Sequence, residues 1–373
     1  MFSSIDVIIP SFRLNKETLL PLLNLKRPEN IQISFYLVAD NPALIPDPAI
    51  QALVDNEHVH LLINEQNLGA SSTRNRGINA GKGAWILFLD DDITVPDNLL
   101  EVYAGAITEF PNEIGFIGRV LMPPPCNLFT ESVEASGSMS IFNISAEKEY
   151  FAWGATANVM IRRSALKEVR FSDQYPKWGG GEEVEFFLRM RAANGYKDFK
   201  TLKEAAVTHP WWNDGKTNFS RFYRYGQGNS FLAERNPTYA WYDFTNTPET
   251  ILLLLVILPF TLFAGAKAFL YTLCFILLTV FIEYIVTILR VKRNTHKTQP
   301  VTAVYVSILR IVYETGLLKG NLGRGRLKGF GERFSYDGSL KKNHFRLNRF
   351  KIIKLVLYIM VFAILLYCYY ASR

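Results

Sequence analysis

The chain has 373 residues, of which 49% are hydrophobic, and it carries a formal net charge of +7 at pH 7. This length excludes a single small domain and allows a core of about 200 residues with additional segments. The three cysteines do not have the spacing of a zinc site, and nothing in their positions indicates a disulfide framework.

Short apolar runs and amphipathic stretches alternate over the first part of the chain. The predicted strands are residues 5–10, 33–39, 59–63 and 84–89, and the predicted helices are residues 16–26 and 71–80. This alternation predicts an α/β fold with a mostly parallel sheet flanked by helices. Because ligands bind beyond the carboxyl ends of such strands, the segments that follow them are expected to meet in one crevice. Those segments are residues 10–13, 40–41, 64–69 and 90–92.

An irregular stretch separates these elements from a second group. Residues 120–152 include three consecutive prolines and predict a loop beside the expected crevice. After this loop the sequence predicts a strand at 156–162, a helix at 181–193 and a strand at 205–209.

Long uncharged runs near the end of the chain are typical of membrane-spanning helices. Residues 251–266 and 268–282 are separated by Lys267, and together they exceed the roughly 20 residues that one crossing needs. We therefore predict two crossings joined near residues 264–267 and a third crossing in the uncharged run 355–372. A buried helical core of a soluble protein is the alternative, but runs that are apolar on every side favour lipid.

A basic segment lies between the predicted crossings. From Arg290 to Lys354 the chain has 16 Lys and Arg residues and three acidic residues, a net charge of +13 (16 − 3). This excess predicts the cytoplasmic side of a membrane, and its position favours anionic lipid over nucleic acid as a partner. Within the segment, residues 301–318 are apolar but carry Arg310 and Glu314. They predict a helix at the membrane interface, with a fourth crossing as the alternative.

These features divide the chain into four parts. They are a cytosolic α/β domain at residues 1–240, a transmembrane hairpin at 241–289, a basic cytosolic or interfacial region at 290–350 and a C-terminal transmembrane helix at 351–373. The sequence therefore predicts a multi-pass integral membrane protein with a cytoplasmic head, and the plasma membrane is its expected location.

The strongest local signal is a run of three aspartates, Asp90 to Asp92, directly after the predicted strand at 84–89. Adjacent carboxylates repel one another, so a fold that holds them together needs a cation or hydrogen-bond donors nearby. Oxygen ligands suit Mg²⁺ or Mn²⁺, and either ion can neutralise a diphosphate. A solvated acidic turn that caps the next helix is the alternative.

Two segments around this triplet carry a resemblance to a known family. Residues 64–77 read NEQNLGASSTRNRG, and residues 80–92 read AGKGAWILFLDDD. They resemble the family-2 glycosyltransferases, inverting enzymes of the Rossmann-like GT-A fold, although Thr73 stands where Ala is usual. The resemblance extends over about residues 4–235 and implies an enzyme that takes a sugar from a nucleotide-sugar donor. The chain lacks the Q-x-x-R-W motif of processive members, so a non-processive enzyme is expected.

The resemblance assigns one set of residues to the donor nucleotide. The set is Pro10, Ser11, Arg13, Asp40, Asn67, Arg74, Asp90 and Asp91. The family residue that matches Asp40 hydrogen-bonds the base, usually uracil, which makes a UDP-sugar the expected donor. As alternatives, Asp40 is a turn-forming residue before Pro42 and Arg74 is a surface salt-bridge residue.

The resemblance also implies a metal site made of Asp90, Asp92 and His209. His209 matches a histidine that joins the metal in some relatives, and the expected ion is Mn²⁺ or Mg²⁺. The alternative is a histidine that is only packed at the end of its strand.

The catalytic base is expected near the start of the helix at 181–193. Residues 178–189 read WGGGEEVEFFLR and resemble the family pattern G-E-D-x-D-x-x-x-R. Glu182 then matches the family Glu, and Glu183 matches the base, which is normally Asp. The extra methylene moves the carboxylate by about 1 Å, a distance that matters for proton transfer. The alternative is an acidic first turn that the helix dipole favours.

Together these features predict a glycosyltransferase that acts with inversion on a lipid-linked or glycan acceptor, in the synthesis of a cell-surface glycan or glycolipid. Nucleic acid is not an expected partner. Because Glu183 replaces the usual Asp, a catalytically silent GT-A domain that serves as a membrane assembly subunit is the alternative. A nucleotidyltransferase would need a glycine-rich basic loop after the first strand, and residues 10–15 do not form one.

Overall fold

The computed structural model describes residues 4–294, 299–341 and 344–371. These residues form two compact units. The first contains the chain up to Pro124, Met139–Asp214 and Tyr336–Gly338, and the second contains Pro125–Ser138, Gly215–Ser335 and the chain from Ser339 onward. Parts of the predicted basic region (295–298 and 342–343) and the end of the predicted last crossing (372) lie outside the described residues.

The secondary structure is distributed along the whole described chain. The strands are β1 (Ser4–Ser11), β2 (Gln32–Ala39), β3 (Val59–Ile63), β4 (Trp85–Leu89), β5 (Gly115–Leu121), β6 (Tyr150–Phe151), β7 (Asn158–Arg162), β8 (Phe199–Thr208), β9 (Ala240–Tyr242) and β10 (Glu332–Phe334). The α-helices are α1 (Lys16–Leu23), α2 (Pro48–Gln51), α3 (Ala70–Ala80), α4 (Leu99–Glu109), α5 (Leu128–Ala135), α6 (Ile144–Glu147), α7 (Arg163–Leu166), α8 (Glu182–Ala193), α9 (Phe219–Arg235), α10 (Thr247–Ile257), α11 (Ala266–Asn294), α12 (Pro300–Gly323) and α13 (Arg349–Ala371). Short 3₁₀ helices lie at Ser140–Asn143, Trp212–Gly215, Pro237–Tyr239, Leu258–Ala264 and Leu327–Gly329.

The first unit is built on one sheet with the strand order β3-β2-β1-β4-β7-β5-β8-β6. The pairs β1–β2, β1–β4, β2–β3 and β5–β8 are parallel, whereas β7 runs antiparallel to both β4 and β5. Strand β6 is antiparallel to β8. The structure thus confirms the predicted α/β fold with a mostly parallel sheet flanked by helices.

The central strands are apolar on both faces, which is why helices cover the sheet on both sides. Ile5, Val7 and Ile8 of β1 are completely buried, and all five residues of β4 are buried as well. Since β1, β2, β3 and β4 are mutually parallel, their carboxyl ends lie at the same edge of the sheet. The segments that follow these strands are therefore brought together.

The structure differs from the prediction between residues 115 and 152. Strand β5 was not predicted, because Gly115, Gly118 and Arg119 interrupt its apolar pattern. The predicted loop at 120–152 instead contains helices α5 and α6, a 3₁₀ helix and the short strand β6. Local propensity missed these elements because each is short and obtains its stability from tertiary packing.

The second unit contains the apolar helices. Among the described residues, four helical segments are long and apolar enough to cross a membrane: Thr247–Ala264, Ala266–Lys292, Pro300–Gly323 and Arg349–Ala371. The first segment changes from α-helix to 3₁₀ helix at Leu258, just before Pro259, a residue whose nitrogen has no hydrogen to donate to an α-helix. The turn to α11 uses Gly265 with φ +101°, a left-handed conformation that favours glycine.

Helix α9, which lies inside the predicted domain of residues 1–240, belongs to the second unit. The reason is its close packing on α12 through glycines on both helices. A Cβ atom at Gly226 would lie closer to the carbonyl oxygen of Tyr313 than van der Waals contact allows, and a Cβ at Gly316 would meet the carbonyl of Tyr223 in the same way.

We expect Gly226→Ala and Gly316→Ala each to destabilise the second unit by about 1–3 kcal/mol, because backbone carbonyl groups cannot move aside as side chains do. Gly323→Ala on the same helix α12 is the matched control. A Cβ there meets no atom within 4 Å, so its effect should stay within about 1 kcal/mol. Thermal unfolding of the detergent-purified variants measures this difference. Equal melting temperatures for all three variants would contradict the close helix contact.

The basic segment is partly neutralised inside the second unit. Glu283 of α11 is buried and accepts hydrogen bonds from Arg310 Nε of α12 (3.0 Å), from Lys354 Nζ of α13 and from Thr247 Oγ1 of α10 (2.7 Å). Further ion pairs join Arg324 to Glu234, Arg326 to Glu332 and Arg333 to Glu249. Five of the 16 basic residues of this segment therefore form ion pairs that join helices and loops, and lipid as a partner of the segment remains a prediction.

A two-stranded sheet joins the segments on either side of helices α10–α12. Strand β9 precedes α10, strand β10 follows α12, and the two strands pair antiparallel. The main chain of Tyr242 also pairs with Phe345 in an isolated bridge. The chain before α10 and the chain after α12 consequently lie together.

Candidate active site

The expected crevice forms at the carboxyl ends of β1 and β4 in the first unit. Ser11, the last residue of β1, donates its hydroxyl proton to Asp91 Oδ2 over 2.6 Å. Arg13 forms an ion pair with Asp92 over 3.1 Å. Asp90 to Asp92 follow β4 directly, so the parallel pairing of these strands brings the predicted nucleotide-binding and metal-binding segments together.

Each aspartate of the triplet has its own polar partner. Arg74 Nη2 of α3 donates to Asp90 Oδ1 over 3.2 Å, whereas Asp92 faces both Arg13 and His209. Burial and the two neighbouring carboxylates raise the pKa of Asp91 to about 6, against the lowering influence of the hydrogen bond from Ser11. The triplet is thus a half-buried concentration of negative charge that a cation would stabilise.

Asp90, Asp92 and His209 form a possible metal-binding group. One ligand atom of each residue lies within 4.8 Å of the others. His209 Nδ1 lies 2.6 Å from the carbonyl oxygen of Pro210. Because a carbonyl only accepts, Nδ1 carries the proton, and in the neutral ring Nε2 keeps a free lone pair. Nε2 is the atom that lies 3.4 Å from Asp92 Oδ1.

The chemistry of this donor set fits a divalent cation. Two carboxylate oxygens suit Mg²⁺ or Mn²⁺, and the imidazole nitrogen is a ligand that transition-metal ions accept more readily than Mg²⁺ does. His209 is buried, and its ring lies near the rings of Phe142 and Trp212, at centroid distances of 5.8 and 6.3 Å. This packing fixes the imidazole at the end of β8.

Arg74 is a buried cation beside the triplet. Its residue is 6% exposed, its guanidinium lies 5.7 Å from the ring centroid of Phe171, and its Nε has no hydrogen-bond partner among the described residues. The sequence-based alternative, a surface salt bridge, does not describe this environment. A buried guanidinium with a spare donor is suited to hold an anionic group.

Glu183 is the second residue of α8 and lies half-buried near Thr156. Its Oε2 accepts hydrogen bonds from the main-chain N–H of Thr156 (3.2 Å) and from the hydroxyl of Thr156 (3.1 Å). Burial and the neighbouring Glu182 raise the pKa of Glu183 to about 7, against the opposite influence of Arg74. A carboxyl group that titrates near neutral pH is suited to general-base catalysis.

Glu182 has a different environment, although the sequence paired it with Glu183. Its Oε2 accepts a hydrogen bond from the main-chain N–H of Gly180 over 2.6 Å. Gly179, Gly180 and Gly181 have φ values of +84°, +116° and +91°, which non-glycine residues rarely adopt. Glu182 therefore closes the tight glycine turn that leads into α8, and a catalytic role for it remains a prediction.

Asp40 anchors the loop between β3 and α3. Its carboxylate accepts hydrogen bonds from Asn64 Nδ2 (2.7 Å) and from the main-chain N–H groups of Leu68 and Gly69 (2.8 Å each). Asn67 lies in the same loop, and its main-chain carbonyl oxygen accepts a hydrogen bond from Lys177 Nζ over 2.7 Å. The predicted contacts of Asp40, Asn67 and the half-buried Pro10 with a nucleotide remain predictions.

A small cleft adjoins this loop and the glycine turn. Its lining includes Gly69, Ser71, Lys177 and Glu182. Lys177 was not predicted as a site residue, and Thr156 was not predicted to contact Glu183. Thr156 could be located from the segment TAN at residues 156–158, which leads into β7. The neighbouring sequence does not indicate which carboxylate the threonine contacts.

The chain is similar in sequence to known proteins. Residues 6–170 match the model of the family described as Glycosyl transferase family 2. Over 174 residues the chain is 23% identical to the minor teichoic acid biosynthesis protein GgaB of Bacillus subtilis (strain 168), covering 42% of this chain and 19% of that protein. Over 64 residues it is 39% identical to the succinoglycan biosynthesis protein ExoO of Rhizobium meliloti (strain 1021), covering 17% of this chain and 18% of that protein.

The chain therefore spans less than a fifth of the length of these two relatives. Among solved structures it is similar to TarS 1-349 of S. aureus, with 14% identity, a TM-score of 0.40 and coverage of 86% of this chain and 92% of that one. This TM-score is too low to support a conclusion about fold or activity.

Proposed function

We infer that this chain, whose residues 6–170 match the model of glycosyltransferase family 2, transfers a sugar from a nucleotide-activated donor to an acceptor with inversion at the anomeric carbon. One observation carries the proposal. The metal-ligating group Asp90, Asp92 and His209 lies at the same sheet edge as Arg74, and Arg74 interacts electrostatically with Glu183. Diphosphate-binding groups and a base suited to neutral pH thus occur in one site.

Asp90, Asp92 and His209 would hold the divalent ion, which when bound supplies positive charge that neutralises the donor diphosphate. Arg74 and Arg13 add fixed positive charge on either side of the triplet. These cations can stabilise the charge that develops on the leaving nucleoside diphosphate. A UDP-sugar is the proposed donor, with Asp40 at the base-binding end of the crevice.

Glu183 is the proposed base. Because it replaces the usual Asp, the alternative is that the domain is catalytically silent and serves as a membrane assembly subunit. A degraded site would leave the longer side chain without defined partners. In this chain Thr156 holds the Glu183 carboxylate with two hydrogen bonds, which supports an active enzyme. The two curated relatives are named for the biosynthesis of teichoic acid and succinoglycan, and we propose a surface glycan or glycolipid as the product class.

We also propose three membrane crossings, made by α10, α11 and α13. The pairing of β9 with β10 supports this count, because strands that pair lie on one side of a membrane. The segments between them then cross an even number of times, which excludes a crossing by all three, and α12, which carries Arg310 and Glu314, is the one that we propose stays at the interface. Packing of the largely polar α9 on α12 supports the same arrangement.

Nucleotide sugars are cytosolic, so the first unit is expected in the cytosol and the α10–α11 turn outside. Phe263, which is 91% exposed, and the exposed Lys328 are suitable labelling positions on opposite sides. The native cysteines to be replaced by serine are Cys126, Cys274 and Cys368. We expect an impermeant maleimide to label Phe263→Cys in intact cells and Lys328→Cys only after permeabilisation. Labelling of Lys328→Cys in intact cells would show instead that α12 crosses.

The proposed activity is tested by screening detergent-purified protein against UDP- and GDP-sugars. Release of the nucleoside diphosphate is measured with Mn²⁺, with Mg²⁺ and with EDTA. We expect release from at least one UDP-sugar that EDTA stops. Turnover that EDTA does not change would contradict the metal-dependent mechanism.

A further inference from the structure

Thr156 gives two hydrogen-bond donors to a single oxygen of Glu183. The main-chain N–H and the side-chain hydroxyl of Thr156 both donate to Oε2, over 3.2 and 3.1 Å. Thr156 itself is 3% exposed and lies two residues before β7, a strand between β4 and β5 in the sheet. A carboxylate fixed in this way has little freedom to rotate.

The other oxygen of Glu183 is left open. Within residues 4–294, 299–341 and 344–371, Oε1 makes no hydrogen bond, and the residue is half-buried. Since both donors of Thr156 occupy Oε2, only Oε1 is available to accept a proton from a bound acceptor.

The charges around Glu183 affect whether the acceptor nucleophile is an anion or a neutral group. Glu182 and Asp90 both disfavour additional negative charge near the carboxylate, and Arg74 is the cation that opposes them. Arg74 is already paired with Asp90 over 3.2 Å. A phosphate anion as nucleophile would enter beside two carboxylates and would need no base. A neutral hydroxyl group is not repelled by these carboxylates, and it needs a base such as Glu183 to take its proton.

We propose that Thr156 is a positioning residue that directs Oε1 of Glu183 at the acceptor, and that the acceptor nucleophile is a neutral hydroxyl group of a glycan or glycolipid rather than a bare lipid phosphate. This inference rests on the proposed glycosyltransferase function. In the reaction, the acceptor oxygen bonds to the anomeric carbon while its proton moves to Oε1. The bond from the anomeric carbon to the diphosphate oxygen breaks, and its electron pair leaves with the nucleoside diphosphate.

The test compares Thr156→Val with Thr156→Ser in the full-length, detergent-purified protein. Valine has the shape of threonine but lacks the hydroxyl donor, whereas serine keeps it. A hydrogen bond to the charged form lowers a pKa, so its loss raises the pKa of Glu183. We expect Thr156→Val to lower kcat with a hydroxyl acceptor about 10-fold and to move the acidic limb of the pH profile to higher pH. Thr156→Ser should restore both, and the donor KM should stay unchanged in both variants.

The acceptor class is tested by offering the enzyme two acceptors with the same donor: a saccharide with free hydroxyls and a polyprenyl monophosphate. Transfer to the saccharide that is sensitive to Thr156→Val supports the inference. Preferred transfer to the polyprenyl phosphate, or a Thr156→Val enzyme with the wild-type pH profile, overturns it. These outcomes differ from those expected if the protein is not a glycosyltransferase. In that case the wild-type protein would bind no nucleoside diphosphate with Mn²⁺ and would transfer sugar to neither acceptor.

Discussion

Asp92→Ala is expected to weaken metal-dependent binding of UDP by at least about 100-fold while leaving the fold intact. Asp92 is the residue of the triplet that faces His209, and its other oxygen accepts from Arg13. Removing it deletes one proposed carboxylate ligand and the oxygen that lies 3.4 Å from His209 Nε2. Loss of a residue that only supports a ligand typically costs 10–100-fold in metal affinity, so loss of a ligand sets a higher expectation.

Calorimetric titration of UDP against wild type and Asp92→Ala, each with and without Mn²⁺, measures this effect. Asp97→Ala is the matched control, because Asp97 is an exposed carboxylate five residues further along the same loop. Both variants should unfold at nearly the wild-type temperature, since Asp92 is half-buried and lies outside the apolar core. Equal Mn²⁺-dependent affinities for all three proteins would show that the triplet does not hold the metal.

Glu183→Gln is expected to lower the transfer rate by about 10²–10⁴-fold, the usual contribution of a general base. Glutamine keeps the size of the side chain and can still accept the hydrogen bonds from Thr156, but it cannot take the acceptor proton. The pH dependence gives a second readout. Because burial raises the pKa of Glu183 to about 7 and only the carboxylate accepts a proton, the wild-type rate should rise with pH through about 7 and then level off. The variant should lose this rise.

Glu182→Gln is the matched control for this experiment. It changes the neighbouring residue by the same substitution and the same unit of charge, and glutamine can still accept from Gly180. Its transfer rate should stay within about 10-fold of wild type, since its carboxylate closes a turn. A fully active Glu183→Gln enzyme would show that the base lies elsewhere or that the acceptor is already an anion.

Glu183→Asp distinguishes an adapted site from a degraded one. If Thr156 is placed for the longer side chain, aspartate will fall about 1 Å short of the acceptor hydroxyl and lose activity. Higher activity of Glu183→Asp than of wild type would show that the family residue Asp still fits the site better. Transfer rates with a fixed saccharide acceptor separate the two outcomes.

The sequence by itself determined the α/β class of the first unit, the strands β1 to β4 and the position of the aspartate triplet after β4. These features depend on short-range patterns: apolar runs of strand length, amphipathic helices between them, and a polar segment at each strand end. Because parallel strands place their carboxyl ends together, the pattern also predicted that Ser11, Arg13 and Asp90 to Asp92 share one crevice, as the hydrogen bonds confirm. The uncharged runs indicated membrane helices for the same local reason, since hydropathy needs no knowledge of tertiary contacts.

Only the tertiary structure decided which distant residues complete the site. Thr156 and Glu183 are 27 residues apart and meet because β7 lies between β4 and β5 in the sheet. His209 reaches Asp92 because β8 pairs beside β5, a strand that the sequence did not reveal. In the second unit, Glu283 pairs with Arg310 and Lys354, so charges that looked like a basic surface are internal. Strand order and helix packing are set by the burial of apolar faces over the whole chain, and no local sequence pattern encodes them.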